Sequence, residues 1–522
     1  MLRGSKNNPE RQNGIVLLAI VIFIVLGALA YFVSGLSVVD IKYRQLESTT
    51  KSLQQAKQAL IAYAASRVDI TTPSVQAGRI GYLPCPANNN GEGNSVGVCN
   101  TTDEATLGWF PWRSLGLPPL RDESGTCLLY AVSGSYKFNP PTDMLNEDTY
   151  GMFQIVDESA VVVQGVNPED RVVAIVFAPG KVLSGQTRNF TAGTQCGDDI
   201  NNFSAYLDTF GAVDNSSLIT GTADQIDQFI HATAESASDD AINPHNDRFI
   251  TITRDDIWQA IMLRDEFDAS LLTGSSKTRR VTEALARCLA QYGNDNDNSH
   301  LPYPAPVNIG GGDYRKSLSY SDAAALPGGQ HFGRFPYITN DADIAIPGSI
   351  TPAVLFDKNF SAPPNHSPPA DIRACDNLPI LFPAGVDADL RTNSAEDRVF
   401  WENRKDHFFY AVSNSYWPDS LPATDPLPDP TAAPARCGNC ITVNAISYAA
   451  VVIYSGSKQP GQVRHAPVAP TDILDTKMFA ANYIEVVNAA GNGMGDYTST
   501  VTGNDVMFCI TDTEPLDVVP CP

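Results

Sequence analysis

Residues Ile15 to Leu36 carry no charged side chain, a run of 36 − 15 + 1 = 22 residues. At ~1.5 Å rise per residue a helix of that length reaches ~33 Å, enough for the hydrocarbon core of a bilayer. Beyond it the pattern changes from uniformly apolar to striped. Leu46, Leu53 and Leu60 recur every seven residues, and Thr49, Ala56 and Tyr63 follow three positions after each. Lys42, Arg44, Glu47, Lys51, Gln54, Gln55 and Lys57 fill the positions between them, so one face is apolar and the other solvated. No Pro or Gly interrupts Leu36 to Arg67. The pattern predicts one continuous helix from Ile15 to about Arg67, with an apolar half and an amphipathic half.

After residue 67 the apolar runs become short and are bounded by Gly, Pro or Asn, which reads as strands. Leu128 to Ser133, Val172 to Ala178 and Phe249 to Thr253 form one series, and Phe408 to Ser413, Ser447 to Ser455 and Val506 to Thr511 form a second. The two series belong to an internal duplication. Tyr130-Ala-Val-Ser-Gly-Ser-Tyr136 returns as Tyr410-Ala-Val-Ser-Asn-Ser-Tyr416, and Leu83-Pro-Cys-Pro-Ala87 returns as Leu301-Pro-Tyr-Pro-Ala305. Ala174 to Arg188 aligns without a gap to Ala450 to Arg464; Tyr206 matches Tyr483, and Asn246-Asp247 matches Asn504-Asp505. The predicted organisation is a leader (1–14), a spine helix (15–67), a first head unit (68–265), a linker rich in Thr, Ser, Gly and Lys/Arg (266–282) and a second head unit (283–522). Helix first and strands afterwards implies an α+β fold with antiparallel sheets packed on the helix end. The second unit opens with Cys288-Leu-Ala-Gln-Tyr292, which matches only the helix end Ala59-Leu-Ile-Ala-Tyr63, so it has no apolar half-helix of its own.

A basic leader (Arg3, Lys6 and Arg11 outweighing Glu10) that ends in Asn13-Gly14, an apolar half-helix and an amphipathic half-helix leading into a head resemble the type IV pilin and type II secretion pseudopilin class. The resemblance covers residues 1 to 67. It implies that a prepilin peptidase cuts after Gly14, that Ile15 becomes the methylated first residue, and that the spine bundles with other pilin or pseudopilin subunits. The positive-inside tendency keeps the leader cytoplasmic, so the expectation is a single-pass inner-membrane protein with its bulk in the periplasm or on the surface of a Gram-negative cell. Shaft subunits of the class carry Glu at the fifth mature position, where this chain has Ala19. That departure implies a minor subunit at the tip or in priming. Ala28-Leu29-Ala30 also fits the signal-peptidase pattern of a cleaved secretory signal peptide, and a plain signal anchor is a further alternative; the competing functional reading is a signal-anchored periplasmic hydrolase or ligand-binding protein. Leu83-Pro-Cys-Pro, the 110–118 stretch and Tyr130-Ala-Val-Ser are similar to heads found on bacterial prepilin-type proteins.

A formal net charge of −23 with pI near 4.6 argues against phosphate-backbone binding, and no nucleic acid partner is expected. Ten cysteines read as disulfides of an oxidising compartment. Candidate pairs are Cys85 with Cys99, Cys127 with Cys196 and Cys437 with Cys440; Cys509 with Cys521 would close a C-terminal loop resembling that of pilins. Similar heads carry an Asp-rich, Gly-punctuated loop that looks calcium-binding, and Glu92 in one loop and Asp295 and Asp297 in another stand at that place. Calcium needs six to eight oxygens, several of them charged, so the site expected is weak and a polar turn is the simpler reading.

Catalytic signals are thin. Gly93-Asn-Ser95-Val-Gly97 has the nucleophile-elbow spacing but sits in an Asn/Gly-rich loop without the flanking strand and helix. The histidines (His231, His245, His300, His331, His366, His407 and His465) are dispersed, with no His-x-x-x-His pair. Trp109-Phe110-Pro-Trp112 and Phe332 to Tyr337 read as sheet-packing cores rather than a ligand platform. The chain is therefore expected to be non-enzymatic, with no cofactor beyond the calcium candidate.

Overall fold

The computed structural model describes residues 10–34, 38–67, 80–88, 90–93, 99, 104–137, 144–190, 195–197, 202–219, 225–231, 233, 245–268, 276–294, 301–309, 314–315, 320, 331–336, 400–401, 403–416, 440–465, 476–489, 495–499 and 504–522. Over the stretch expected to be one helix (15–67), the described residues form α1 (Glu10–Ser34) and α2 (Val38–Ser66). Residues 35–37, between the two helices, lie outside the described residues.

A second correction is larger. Among the described residues no helix is long and apolar enough to cross a membrane. The expected single-pass anchor is overturned, and with it the inner-membrane location and the orientation inferred from Arg3, Lys6 and Arg11.

The first unit is built from β1 (Thr106–Trp109), β2 (Leu129–Val132), β3 (Phe153–Val156), β4 (Val162–Gln164), β5 (Val172–Ala178), β6 (Thr209–Phe210), β7 (Val213–Asp214), β8 (Asp227–Ile230) and β9 (Arg248–Thr253), followed by α3 (Arg254–Met262). The second contains α4 (Lys277–Asn294), β10 (Phe332–Arg334), β11 (Phe408–Val412), β12 (Ile441–Val443), β13 (Ile446–Tyr448), β14 (Ala450–Tyr454), a short α5 (Val486–Ala489), β15 (Asp496–Tyr497), β16 (Val506–Ile510) and β17 (Val518–Pro520). In the first unit β1, β2, β5 and β9 pair antiparallel in that order; β10, β11, β14 and β16 do the same in the second. The repeated sequence thus gives a repeated sheet. The sheets are mixed rather than purely antiparallel, because β8 joins β3 in parallel and β15 joins β12 in parallel. A parallel neighbour requires a long crossover, and the 157–226 and 444–495 stretches supply it.

All seven residues of β5 are buried, which is why its sequence is an unbroken apolar run rather than an alternating one. Successive side chains still serve opposite faces: Ala174, Val176 and Ala178 join the helix-side core, while Ile175 and Phe177 join the core on the other face. In β14 the same alternation sends Ala450, Val452 and Tyr454 one way and Val451 and Ile453 the other. α2 lies on β5 and β9; α4 lies on β14, β16 and β17. Leu53, Ala56, Leu60 and Ala64 of α2 and Val281, Leu285, Cys288 and Leu289 of α4 belong to one apolar cluster. The two units therefore share a core. α4 starts at Lys277, inside the stretch read as a linker, and Ser276, Lys277 and Phe267 are buried.

Local capping ties the helices down. Thr253 accepts from Asp256 N, and the Asp256 carboxylate accepts from Thr253 N, a reciprocal cap at the start of α3. The same carboxylate accepts from Lys57 Nζ of α2 at 2.7 Å.

Candidate functional site

The first candidate surface is α1. Every described side chain from Val16 to Tyr31 is exposed, including Leu17 at 68 %, Phe23 at 75 % and Tyr31 at 80 %. A helix apolar on all sides is ordinarily covered, so its exposed state marks a surface awaiting a partner. α2 differs. Thr49, Leu53, Ala56 and Leu60 of its stripe are buried within the chain, while Leu46 and Tyr63 remain partly accessible.

The second candidate is a polar seam between the units. Asn146 donates to Asn403 O at 2.8 Å and to Asp406 Oδ1 at 3.0 Å, while Leu145 N donates to Asn403 Oδ1 at 2.9 Å. Asp148 Oδ2 lies 3.0 Å from His407 Nε2 and 3.9 Å from Arg464 Nη1. Lys477 Nζ donates to Asp406 Oδ2 at 2.5 Å, and Arg404 Nε lies 3.3 Å from Glu147 Oε2. Burial alone would neutralise these groups; instead the Arg464 and His407 charges hold the Asp148 carboxyl well below its usual range, and Lys477 and His407 do the same for Asp406. His407 is likewise pushed up against its burial by Asp406, Glu147 and Asp148. Beside the seam opens a narrow cleft, with room for about 30 Å³ of water-sized occupancy, whose walls include Asn146, Asp148, Tyr150, Tyr314, Arg315 and Lys477.

A third feature occurs once in each unit. Arg188 donates through Nε to Ala205 O at 3.0 Å, through Nη1 to Gly180 O at 2.9 Å, and through Nη2 to Gln186 Oε1 at 3.3 Å and Tyr206 O at 3.4 Å. Arg464 repeats the set on Asn482 O (2.5 Å), Gly456 O (2.8 Å), Gln462 Oε1 (2.8 Å) and Tyr483 O (2.7 Å). Glycine is needed at the paired turn. A Cβ on Gly180, whose φ is +69°, would sit 2.9 Å from Asn246 Oδ1, and one on Gly456 would sit 2.3 Å from Asn504 O.

Behind each arginine lies a carboxyl pair. In the first unit Asp208 N donates to Asp247 Oδ2 at 2.7 Å, and Asn246 N donates to Asp208 Oδ2 at 2.8 Å. In the second, Glu485 N donates to Asp505 Oδ2 at 3.1 Å, and Asn504 N donates to Glu485 Oε1 at 2.9 Å. Burial and the neighbouring Asp208 charge push Asp247 well up; burial and the Glu485 hydrogen bond push Asp505 up to about 8.

Gly14 and Ile15 lie within α1. Glu92 pairs with Arg113 at 3.1 Å, and in its loop Asn88 and Asn90 accept backbone N–H groups through Oδ1, as turn-forming side chains do. Asp295, Asp297, Ser95, His300, His366 and Cys437 lie outside the described residues. Disulfides join Cys85 to Cys99, Cys127 to Cys196 and Cys509 to Cys521; Cys288 and Cys440 are also disulfide-bonded. Trp109, Phe110, Trp112 and Phe335 are buried in the cores. Two histidines that look isolated in sequence each meet two buried carboxyl groups in space: His407 with Asp148 and Asp406, His245 with Asp208 and Asp247. The doublets Asp406-His407 and His245-Asn-Asp247 were the visible half of that signal.

Against family models, curated proteins and solved structures, the chain finds no match.

Proposed function

We propose that this chain is a non-enzymatic minor subunit of a pilin-like assembly, joined to sister subunits through α1 and serving at the end of a filament or in its priming. The exposure of α1 carries the reading. Val16 to Tyr31 present apolar side chains on every side, while the rest of the chain closes its own cores around α2 and α4. Equivalent apolar helices of other subunits are the cover that the resemblance of residues 1–67 supplies. Processing after Gly14 by a prepilin peptidase would leave Ile15 as the first residue. Ala19 offers no carboxylate to pair with the terminal amine of a subunit ahead, which suits an end position.

The reading is tested by cross-linking and sedimentation of the mature chain with and without Phe23→Asp and Ile24→Asp. The variant is expected to leave the assembly while its disulfides and near-ultraviolet spectrum stay intact; unchanged co-assembly overturns the reading. N-terminal sequencing is expected to begin at Ile15, and a start at Tyr31 would refute the processing.

A further inference from the structure

We propose that Asp208, His245 and Asp247 form a buried site for a divalent transition-metal ion, zinc in the first instance. The three side chains offer one donor atom each, all within 4.8 Å of one another, and none is exposed to water beyond a few per cent. His245 Nε2 lies 3.2 Å from Ile230 O, and since a carbonyl only accepts, Nε2 carries the proton. The lone pair is then on Nδ1, 3.7 Å from Asp208 Oδ2, too far for a hydrogen bond. Nδ1 and Asp247 Oδ1 are both buried and have no hydrogen-bond partner among the described residues. Two acceptors facing inward without a donor are a cost that a cation removes.

The remaining contacts look like an outer shell. Asp247 Oδ2 accepts from Asp208 N and from Asn215 Nδ2 at 3.0 Å, and Asp208 Oδ1 accepts from Gln186 Nε2 at 2.8 Å, so the carboxylates are aimed while one oxygen of Asp247 stays open. Arg188 spends its donors on carbonyls, Thr126 and Gln186 rather than on this pair. Two carboxylates and a neutral imidazole balance a divalent charge. An imidazole donor selects zinc or a neighbouring transition ion over calcium, which takes oxygen ligands. Ligands at ~2.1 Å from a tetrahedral ion sit about 3.4 Å apart, so the 3.7 Å gap needs only a small contraction, and a water completes the shell.

The duplicate and the seam serve as internal contrasts. At the counterpart of His245 the second unit has Gly503, and there Glu485 and Asp505 hydrogen-bond to each other instead. The seam triad Asp148, Asp406 and His407 already holds Lys477 and Arg464 against its oxygens.

The test uses the full chain without a polyhistidine tag, stripped with EDTA and titrated with zinc chloride by calorimetry and elemental analysis. One zinc per chain is expected, together with a higher melting temperature. Loss of an outer-shell partner typically costs ~10–100-fold in metal affinity, so loss of a ligand in His245→Gln or Asp247→Asn is expected to cost at least ~100-fold. Glu485→Gln and Asp505→Asn are expected to keep wild-type stoichiometry. Where a ligand variant fails to fold, cobalt-loaded wild-type chain decides: visible d–d bands support the site and their absence overturns it. Zinc binding by His245→Gln equal to wild type, or none by the folded wild type, overturns it equally.

Discussion

Asp505 sits at the start of β16 with its carboxyl withdrawn from water and bonded to Glu485, so the folded chain keeps there a proton that the unfolded chain releases near pH 3.9. The folded value of about 8 lies above the unfolded one. The contribution to stability is therefore complete below the unfolded value and is lost as pH rises through about 8. Asp505→Asn carries a neutral side chain of the same shape and is expected to flatten the decline in urea stability between about pH 4 and about pH 9, by on the order of a few kcal/mol. A variant whose pH slope matches wild type would show that the pair is ionised after all.

At the scale of elements, burial decides what a stripe is for. Leu60 is fully buried in the shared core, whereas Leu46, seven-residue partner to Leu53 in the same pattern, is only partly covered. Leu60→Ala is expected to cost about 2–5 kcal/mol in chemical denaturation, and Leu46→Ala under about 1 kcal/mol. Closing a 69-residue separation, the Cys127–Cys196 bridge restricts the unfolded chain by about 4.4 kcal/mol against about 2.8 for the 12-residue Cys509–Cys521 bridge. Paired Ala substitutions, melted side by side, are expected to rank in that order. The strands β2, β5, β11, β14 and β16 were legible because buried strands are continuous apolar runs between Gly, Pro or Asn, and β9 because Phe249, Ile250, Thr251, Ile252 and Thr253 are all strand-favouring residues. The partner of the α2 stripe was not, since periodicity says that a face is apolar and not whether a sister helix or the chain's own sheet covers it. The parallel additions of β8 and β15 were hidden for a related reason: register across a long crossover leaves no local mark. The carboxyl–histidine clusters escaped because Asp208 and His245, or Asp148 and His407, meet only through the fold.

Across the whole molecule, the duplicated units share one apolar core, and a polar seam links them as well. Trp258 of the first unit, Phe267 of the stretch between the units and Phe400 of the second surround the Arg404 guanidinium at 5.3, 5.0 and 4.6 Å, and Glu147 lies against Arg404 from the first unit. Asp148 brings a negative charge to His407 and Arg464 of the second unit with both faces of the seam buried. Removing that charge in Asp148→Asn strands two cations, and breaking a buried pair from one side costs about 3–5 kcal/mol. Because α2 and α4 contribute to one apolar cluster, the loss is expected to lower a single melting transition seen alike by near-ultraviolet dichroism and by proteolysis of either unit. Two transitions, with only one displaced, would mean that the units are independent domains. His407 adds a pH signature. Its folded pKa is raised above the unfolded value near 6.5, so the seam is fully tightened below that pH and loosens as pH rises through the folded value. In Asp148→Asn that portion of the alkaline decline should shrink, since one of the carboxylates that keeps His407 charged is gone.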